Sequence, residues 1–184
     1  TNNKPLPIWC DEYGYFTSGK DNAYSPVTEE QQAVYMARYT AMMAASGLVE
    51  MAMPYVAYDM YDNVELSEGN YGIIRHSNSD KGSCTSKPAH IMLAGYMNAL
   101  SGKKFKSVLL NDAGVYAYLY NSGDKENVYM LWDNGNDVRC TVKVSGANVS
   151  LYDCFGNSKY VKMDGNSLNV TIGQRPVYLV LDSG

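Results

Sequence analysis

The chain has 184 residues, enough for one ordinary domain or for a small domain joined to part of another. Charged residues make up only 18% and the net charge is -4, so there is no basic stripe to neutralise phosphates or anionic lipid, and neither nucleic acid nor a membrane surface is an expected partner. No apolar stretch is long enough to span a bilayer, and the N-terminus lacks the basic and apolar regions of a signal peptide.

The first element is Pro5-Leu6-Pro7-Ile8-Trp9-Cys10-Asp11-Glu12-Tyr13-Gly14-Tyr15. A short apolar run bounded by proline reads as a strand buried on both faces, and an acidic pair belongs at the end of such a strand because unpaired charge is costly inside. Glu12 is therefore expected where the strand meets its loop. Alternation puts Ile8, Cys10 and Glu12 on one face and Trp9, Asp11 and Tyr13 on the other.

A polar connection from Thr17 to Pro26 leads to a helix expected from about Glu29 to Ser46. Thr28 and Gln31 form a capping box, Glu29 and Glu30 suit the positive end of the helix dipole, and Gly47 suits a left-handed stop. Val34, Ala37, Ala41 and Ala44 recur at helical spacing, and such small residues suggest close packing on a sheet. Leu48 to Ala57 is the next strand, with Pro54 marking a bulge or its end. Strand, helix and strand with no hairpin turn make a βαβ unit, whose strands are parallel and adjacent and whose ligands meet the C-terminal strand ends. Glu12 and the group Tyr55, Tyr58 and Asp59 are thereby brought to one rim.

From Asn63 to Ser86 the chain is a long polar loop, a length usual for functional or mobile segments. It contains His76, which reads as a solvated loop histidine. A second helix starts near Ser86 with Pro88 in its first turn, carries an apolar face of Ile91, Met92, Gly95, Tyr96 and Leu100, and stops at Gly102. His90 lies on it and is expected to pack or hydrogen-bond locally.

From Lys103 the character changes to short runs separated by turn residues: Ser107-Asn111, Val115-Tyr120, Val128-Asp133, Val138-Val144, Val149-Tyr152, Lys159-Met163, Ser167-Ile172 and Val177-Leu181. Breakers such as Asn121-Ser122-Gly123-Asp124 lie between them, and about eight strands so spaced read as an antiparallel sandwich. The expected domains are 1–104 and 105–184. Tyrosine contributes 17 residues against two tryptophans and three phenylalanines, and its flat apolar face with a polar tip suits sugar stacking and half-buried strands alike. The four cysteines, Cys10, Cys84, Cys140 and Cys154, are too dispersed for a metal or C-x-x-C motif. Cys140 and Cys154 flank an expected turn, Ser145-Gly146-Ala147-Asn148, so they either face each other across a hairpin or stay buried free thiols. No metal and no cofactor are expected.

Taken together, these segments resemble the C-terminal part of a clan A retaining glycoside hydrolase, a (β/α)8 barrel followed by a small β-sandwich. Pro7-Ile8-Trp9-Cys10-Asp11-Glu12-Tyr13-Gly14 resembles the seventh barrel strand, which ends in the nucleophilic glutamate. Leu48 to Asp59 resembles the eighth, Glu68-Asn70-Tyr71-Gly72 the loop after it, and Lys87-Pro88-Ala89 the start of the eighth helix. Val149 to Asn157 and Pro176-Val177-Tyr178-Leu179 resemble strands of the accessory sandwich. The fold class implied is α/β plus all-β: a partial (β/α)8 barrel of two βα units, then the antiparallel β-sandwich.

The resemblance implies a retaining mechanism with Glu12 as nucleophile, and Tyr55, Tyr58, Asp59 and Trp9 as substrate-binding residues. Retention needs a second carboxyl group as acid/base. In the clan it lies on the fourth strand, typically in an Asn-Glu pair, and the sequence has no such pair. The chain also departs from the clan at strand eight, where Met53, Pro54, Tyr55 and Tyr58 stand in place of a frequent tryptophan. The implied partners are an oligosaccharide or polysaccharide substrate and the missing N-terminal barrel portion or another chain. A start at Thr1 suggests processing or a fragment, and the expected location is secreted or extracytoplasmic. The alternative reading is a non-catalytic carbohydrate-binding or assembly module acting through the sandwich.

Overall fold

The structure, a computed structural model, describes residues 6–61, 63–123, 126–144 and 148–182. Pro5, Asp62, Asp124 and residues 145–147 of the expected turn lie outside these. The chain divides into two compact units, Thr1–Leu93 and Ala94–Gly184.

The first unit contains β1 (Ile8–Tyr13), α1 (Glu29–Ser46), β2 (Val49–Pro54), a single 3-10 turn at Glu68–Asn70 and the start of α2 (Pro88–Leu100). Local chemistry sets the ends of α1. Thr28 Oγ1 accepts from the Gln31 amide at 3.1 Å, and the Gln31 side chain accepts from the Thr28 amide at 2.9 Å. Such a cap contributes about 1 kcal/mol. Gly47 closes the helix with φ 67°, a conformation that costs glycine least. Ala33, Val34, Met36, Ala37 and Ala41 are buried along α1 and let it lie close on β2.

β1 and β2 pair in parallel, with Cys10 opposite Ala52 and Tyr13 opposite Pro54, so Pro54 falls at the strand's end, where its missing amide proton breaks no ladder. One expectation is corrected here. β1 is not buried on both faces: Trp9 is 61% exposed and Ile8 49%, and Asp11 and Glu12 are exposed as well. Among the described residues β1 pairs with β2 alone, so its other edge has no neighbouring strand. The simple alternation of its side chains is also broken by a register irregularity between Cys10 and Tyr13.

The second unit holds the rest of α2 and β3 (Lys104–Asp112), β4 (Val115–Asn121), β5 (Glu126–Asp133), β6 (Val138–Lys143), β7 (Asn148–Tyr152), β8 (Ser158–Lys159), β9 (Met163–Asp164), β10 (Ser167–Ile172) and β11 (Val177–Asp182). They form a six-stranded sheet, β3-β4-β5-β11-β7-β8, and a three-stranded sheet, β6-β10-β9, whose strand pairs are all antiparallel. Leu131, Leu151, Val177, Leu179 and Leu181 from the larger sheet meet Leu168, Val170 and Ile172 of β10 in one core, as in a β-sandwich. On the other face of the larger sheet Tyr118, Tyr120, Met130, Trp132 and Tyr178 are buried, with Trp132 stacked on Tyr116 at 4.8 Å.

Two details differ from the sequence reading. The run Lys159-Met163 is not one strand: β8 pairs with β7 in the larger sheet and β9 with β10 in the smaller, so the chain crosses between sheets there. Cys140 and Cys154 do not face each other across a hairpin, because β6 pairs with β10 while β7 pairs with β11 and β8. All four cysteines are free thiols, Cys154 buried and Cys140 half-buried.

Candidate active site

The C-terminal ends of β1 and β2 are fastened together in the first unit. The Tyr55 amide donates to Tyr13 O at 2.8 Å, and Gly14 follows so closely on Tyr55 that a Cβ there would sit 2.2 Å from the Tyr55 carbonyl oxygen. Only glycine leaves room for that approach. The Tyr55–Val56 peptide bond is cis. Tyr13 is anchored from below, its phenol sharing a 2.6 Å hydrogen bond with Thr40 of α1. Glu12, the residue before it, is exposed at the strand end.

Tyr55 joins the end of β1, through its amide, to the loop that follows β2, through its side chain. Its phenol donates to Glu68 Oε1 and its ring meets Tyr71 edge-on at 5.5 Å. Hydrogen bonding to Glu68, with lesser contributions from burial and from the charges of Glu68 and Glu12, pushes the phenol pKa up to about 12. An exposed carboxylate, a phenol held protonated and a second carboxylate thus gather at one rim. Tyr71 also packs on Phe16 at 5.4 Å.

Gln32 of α1, fully buried, holds this rim in place. Its amide nitrogen lies 2.8 Å from Tyr15 O, 3.1 Å from Tyr71 O and 3.2 Å from Gly72 O, joining the chain after β1 to the loop after β2. Gln32 did not stand out in the sequence, and Glu68 entered only through the resemblance of its loop, with no role assigned. Gln32 shares a helical stripe with Met36 and Met43, and a polar residue on such a stripe was the available signal. Glu68 acts on a residue 13 positions away and gave none.

Of the other residues read as substrate-binding, Asp59 is drawn away from the rim surface. It is 8% exposed and paired at 2.8 Å with Lys87, itself 2% exposed, whose ammonium also donates to Thr17 at 3.0 Å. Burial pushes the Asp59 carboxyl up and the Lys87 ammonium down from their ordinary values, each opposed by the other's charge. Gly72 packs on this pair so tightly that a Cβ would meet the Asp59 amide nitrogen at 2.1 Å. Tyr58 is 41% exposed, and its hydrogen bond with Cys84 is the main cause of its raised pKa. Trp9 lies toward the start of β1, opposite Met51.

The histidines take local partners: His90 shares a 2.7 Å hydrogen bond with Ser86, and His76 accepts from the Asn78 amide at 3.2 Å. Nearby, Arg75 grips both carboxylate oxygens of Glu29 through its Nε and Nη2, at 3.2 and 2.5 Å. Burial is the largest single influence and raises the Glu29 carboxyl, but the hydrogen bond and charge of Arg75, with the charges of Lys81 and Lys87, together hold the group below its ordinary value. Among the described residues no group of three or more His, Cys, Asp or Glu is arranged to hold a metal ion, and no helix is long and apolar enough to cross a membrane.

No family model and no curated protein matches the sequence. Solved structures do match the fold. A family 39 glycoside hydrolase from the gut symbiont Bacteroides cellulosilyticus superposes with a TM-score of 0.83 at 20% identity, over 99% of this chain and 35% of that one. The catalytic domain of the family 30 xylanase C from Talaromyces cellulolyticus gives 0.67 at 13% identity, over 97% of this chain and 41% of that one. A family 51 arabinofuranosidase from Xanthomonas axonopodis pv. citri gives 0.59 at 12% identity, over 96% and 41%. The chain therefore spans well under half the length of these enzymes, and at such identities the likeness is one of fold. Its fold is that of a part of these enzymes.

Proposed function

We propose that this chain is the C-terminal portion of a retaining glycoside hydrolase, acting on an oligosaccharide or polysaccharide, with β1 and β2 as the last two strands of a (β/α)8 barrel and Glu12 as the nucleophile. The observation that carries the reading is the parallel β1-α1-β2 unit that puts Glu12 at the C-terminal strand ends, where such units bind ligands, with Tyr55 beside it. The exposed apolar residues Ile8, Trp9, Met51 and Met53 of the two strands support it, since strands of this composition are normally covered by neighbours. The carboxylate of Glu12 attacks the anomeric carbon and forms a glycosyl ester. Tyr55 supplies a flat face to the sugar, and its hydroxyl oxygen, whose proton is donated to Glu68, can accept from a sugar hydroxyl. A second carboxyl group must protonate the leaving oxygen and then activate water. It is supplied by the remainder of the barrel, in the same polypeptide or in another chain.

Three measurements test this. The coding sequence upstream of Thr1 should specify six further βα units with an Asn-Glu pair at the end of the fourth strand. The complete polypeptide should hydrolyse aryl glycosides, and Glu12→Gln should abolish turnover while leaving the fold intact. It should also be esterified at Glu12, as read by peptide mass, when given 2-deoxy-2-fluoro glycosides carrying a dinitrophenolate leaving group, which needs no proton donor. A start codon directly before Thr1 would sink the barrel reading, and hydrolysis that survives Glu12→Gln would remove Glu12 from the mechanism.

A further inference from the structure

Glu68 is a second carboxylate at the rim of the first unit, and its own turn fixes its position. It opens the 3-10 turn Glu68–Asn70, in which Gly69 packs so closely on Tyr61 that a Cβ would meet the ring at 2.8 Å. The buried Asn70 side-chain amide donates to Leu66 O at 2.7 Å and to Asn63 O at 3.0 Å, which holds the turn to the loop before it. Tyr55 joins this turn to the strand ends. Its phenol donates to Glu68 Oε1, its amide donates to Tyr13 O at 2.8 Å, and Tyr71 meets its ring edge-on at 5.5 Å. The charges of Glu68 and Glu12 both help to raise the phenol pKa, so the two carboxylates act on one point of the rim.

Among the described residues no cation offsets the charge at that point. Those of the first unit are engaged elsewhere: Lys20 pairs with Glu65, Arg75 and Lys81 with Glu29, and Lys87 with Asp59, while Arg38 is buried. The Tyr55 proton goes to Glu68, so what the pair offers a ligand is acceptors: the lone pair of the phenol oxygen and the remaining capacity of the carboxylate. Sugar hydroxyls donate to such a pair. A uronate carboxylate has no proton to donate at neutral pH and sets a third like charge beside Glu12 and Glu68. Resting on the reading of this rim as a glycosidase site, we propose that Glu68 determines its specificity: Glu68 accepts hydrogen bonds from the hydroxyls of the sugar held beside Glu12 and selects neutral sugar rings over uronates.

The experiment gives the complete polypeptide nitrophenyl glycosides in matched pairs that differ only at the exocyclic carbon, glucoside with glucuronide and galactoside with galacturonide, as both anomers. The neutral member of each hydrolysed pair should have a kcat/KM higher by about tenfold or more. Glu68→Gln keeps the shape and an acceptor but loses the charge, and it should bring each pair close to parity, mainly through KM. Glu68 is exposed, so the variant should keep the fold, and a merely structural defect would slow both members of a pair alike. Binding of the corresponding methyl glycosides, read from the carbon-13 resonance of the Tyr55 ring, gives the same preference without turnover. Uronides turned over or bound as well as their neutral partners, or a preference unchanged in Glu68→Gln, would overturn the proposal. The two readings fail separately. Neutral glycosides that bind at Tyr55 in a Glu68-dependent way with no turnover support this proposal and sink the catalytic one, whereas Glu12-dependent turnover without the preference does the reverse. Neither turnover nor binding across the panel overturns both.

Discussion

Lys87→Met tests whether the buried ion pair holds the rim. Lys87 is 2% exposed, and its ammonium reaches Asp59 at 2.8 Å and Thr17 at 3.0 Å. One side chain therefore joins the chain after β1, the chain after β2 and the start of α2. Removing it leaves a buried carboxylate with no counter-charge, a change that costs about 3–5 kcal/mol, a large part of the roughly 5–15 kcal/mol that stabilises a domain. Desolvation is the largest influence on both groups, raising Asp59 and lowering Lys87, so the pair itself contributes little net stability. Lys87→Met/Asp59→Asn, which removes both charges and keeps an acceptor for the Gly72 amide, should recover most of the loss, to within about 1–2 kcal/mol of the parent. The sign with pH follows. In Lys87→Met the folded-state pKa of Asp59 rises further above the ordinary 3.8, so the native state binds the proton more tightly than the unfolded state does. The loss should be smallest below the ordinary carboxyl value and grow as pH rises to the folded-state value. Amide hydrogen exchange of α1 under native conditions reads the first unit by itself. A single-variant loss below about 1 kcal/mol, or a double variant no better than the single, would refute this reasoning.

Glu68→Gln should bring the Tyr55 phenol down from about 12 toward the ordinary 10.0, because the charged acceptor that holds its proton is gone; carbon-13 tyrosine NMR through alkaline pH reads this directly, and an unmoved Tyr55 resonance would remove Glu68 from the rim. At Cys84, hydrogen bonds first from Tyr58 and then from Ser83 hold the thiol below its ordinary 9.0. Tyr58→Phe should therefore shift the pH midpoint of its alkylation by iodoacetamide upward, and an unchanged midpoint would place Tyr58 elsewhere.

What the sequence disclosed divides by the distance over which each feature is decided. The limits of α1 depend on Thr28, Gln31 and Gly47, all within one turn of the ends they fix, and they were legible for that reason. Parallel pairing of β1 with β2 was legible because a βαβ unit leaves the chain almost no other topology. The role of Asp59 was not, since nothing local separates an acid at a strand-loop junction from one buried against a lysine 28 residues later. Lys159-Met163 misled for a related reason: its composition suits a strand throughout, but the two sheets compete for its ends.

The burial of β1 is a different kind of discrepancy, and it bears on how the site is built. Its sequence reads as an interior strand, yet Ile8, Trp9, Met51 and Met53 stay exposed. The rim above those same strands is internally fastened. Gln32 ties the two loops, Gly14 lets Tyr55 approach, and the Lys87–Asp59 pair closes the group, with every one of these partners inside the first unit. The uncovered apolar residues therefore lie along the strand flanks. On the proposed reading, the half of the site that carries Glu12 is organised before the rest of the barrel joins it. Association then covers the apolar flanks, a favourable term of about 25 cal/mol per Å², and brings the acid/base to a nucleophile already in place. Catalysis gained on assembly would come from the added carboxyl group, with little reordering of the Tyr55–Glu68 rim.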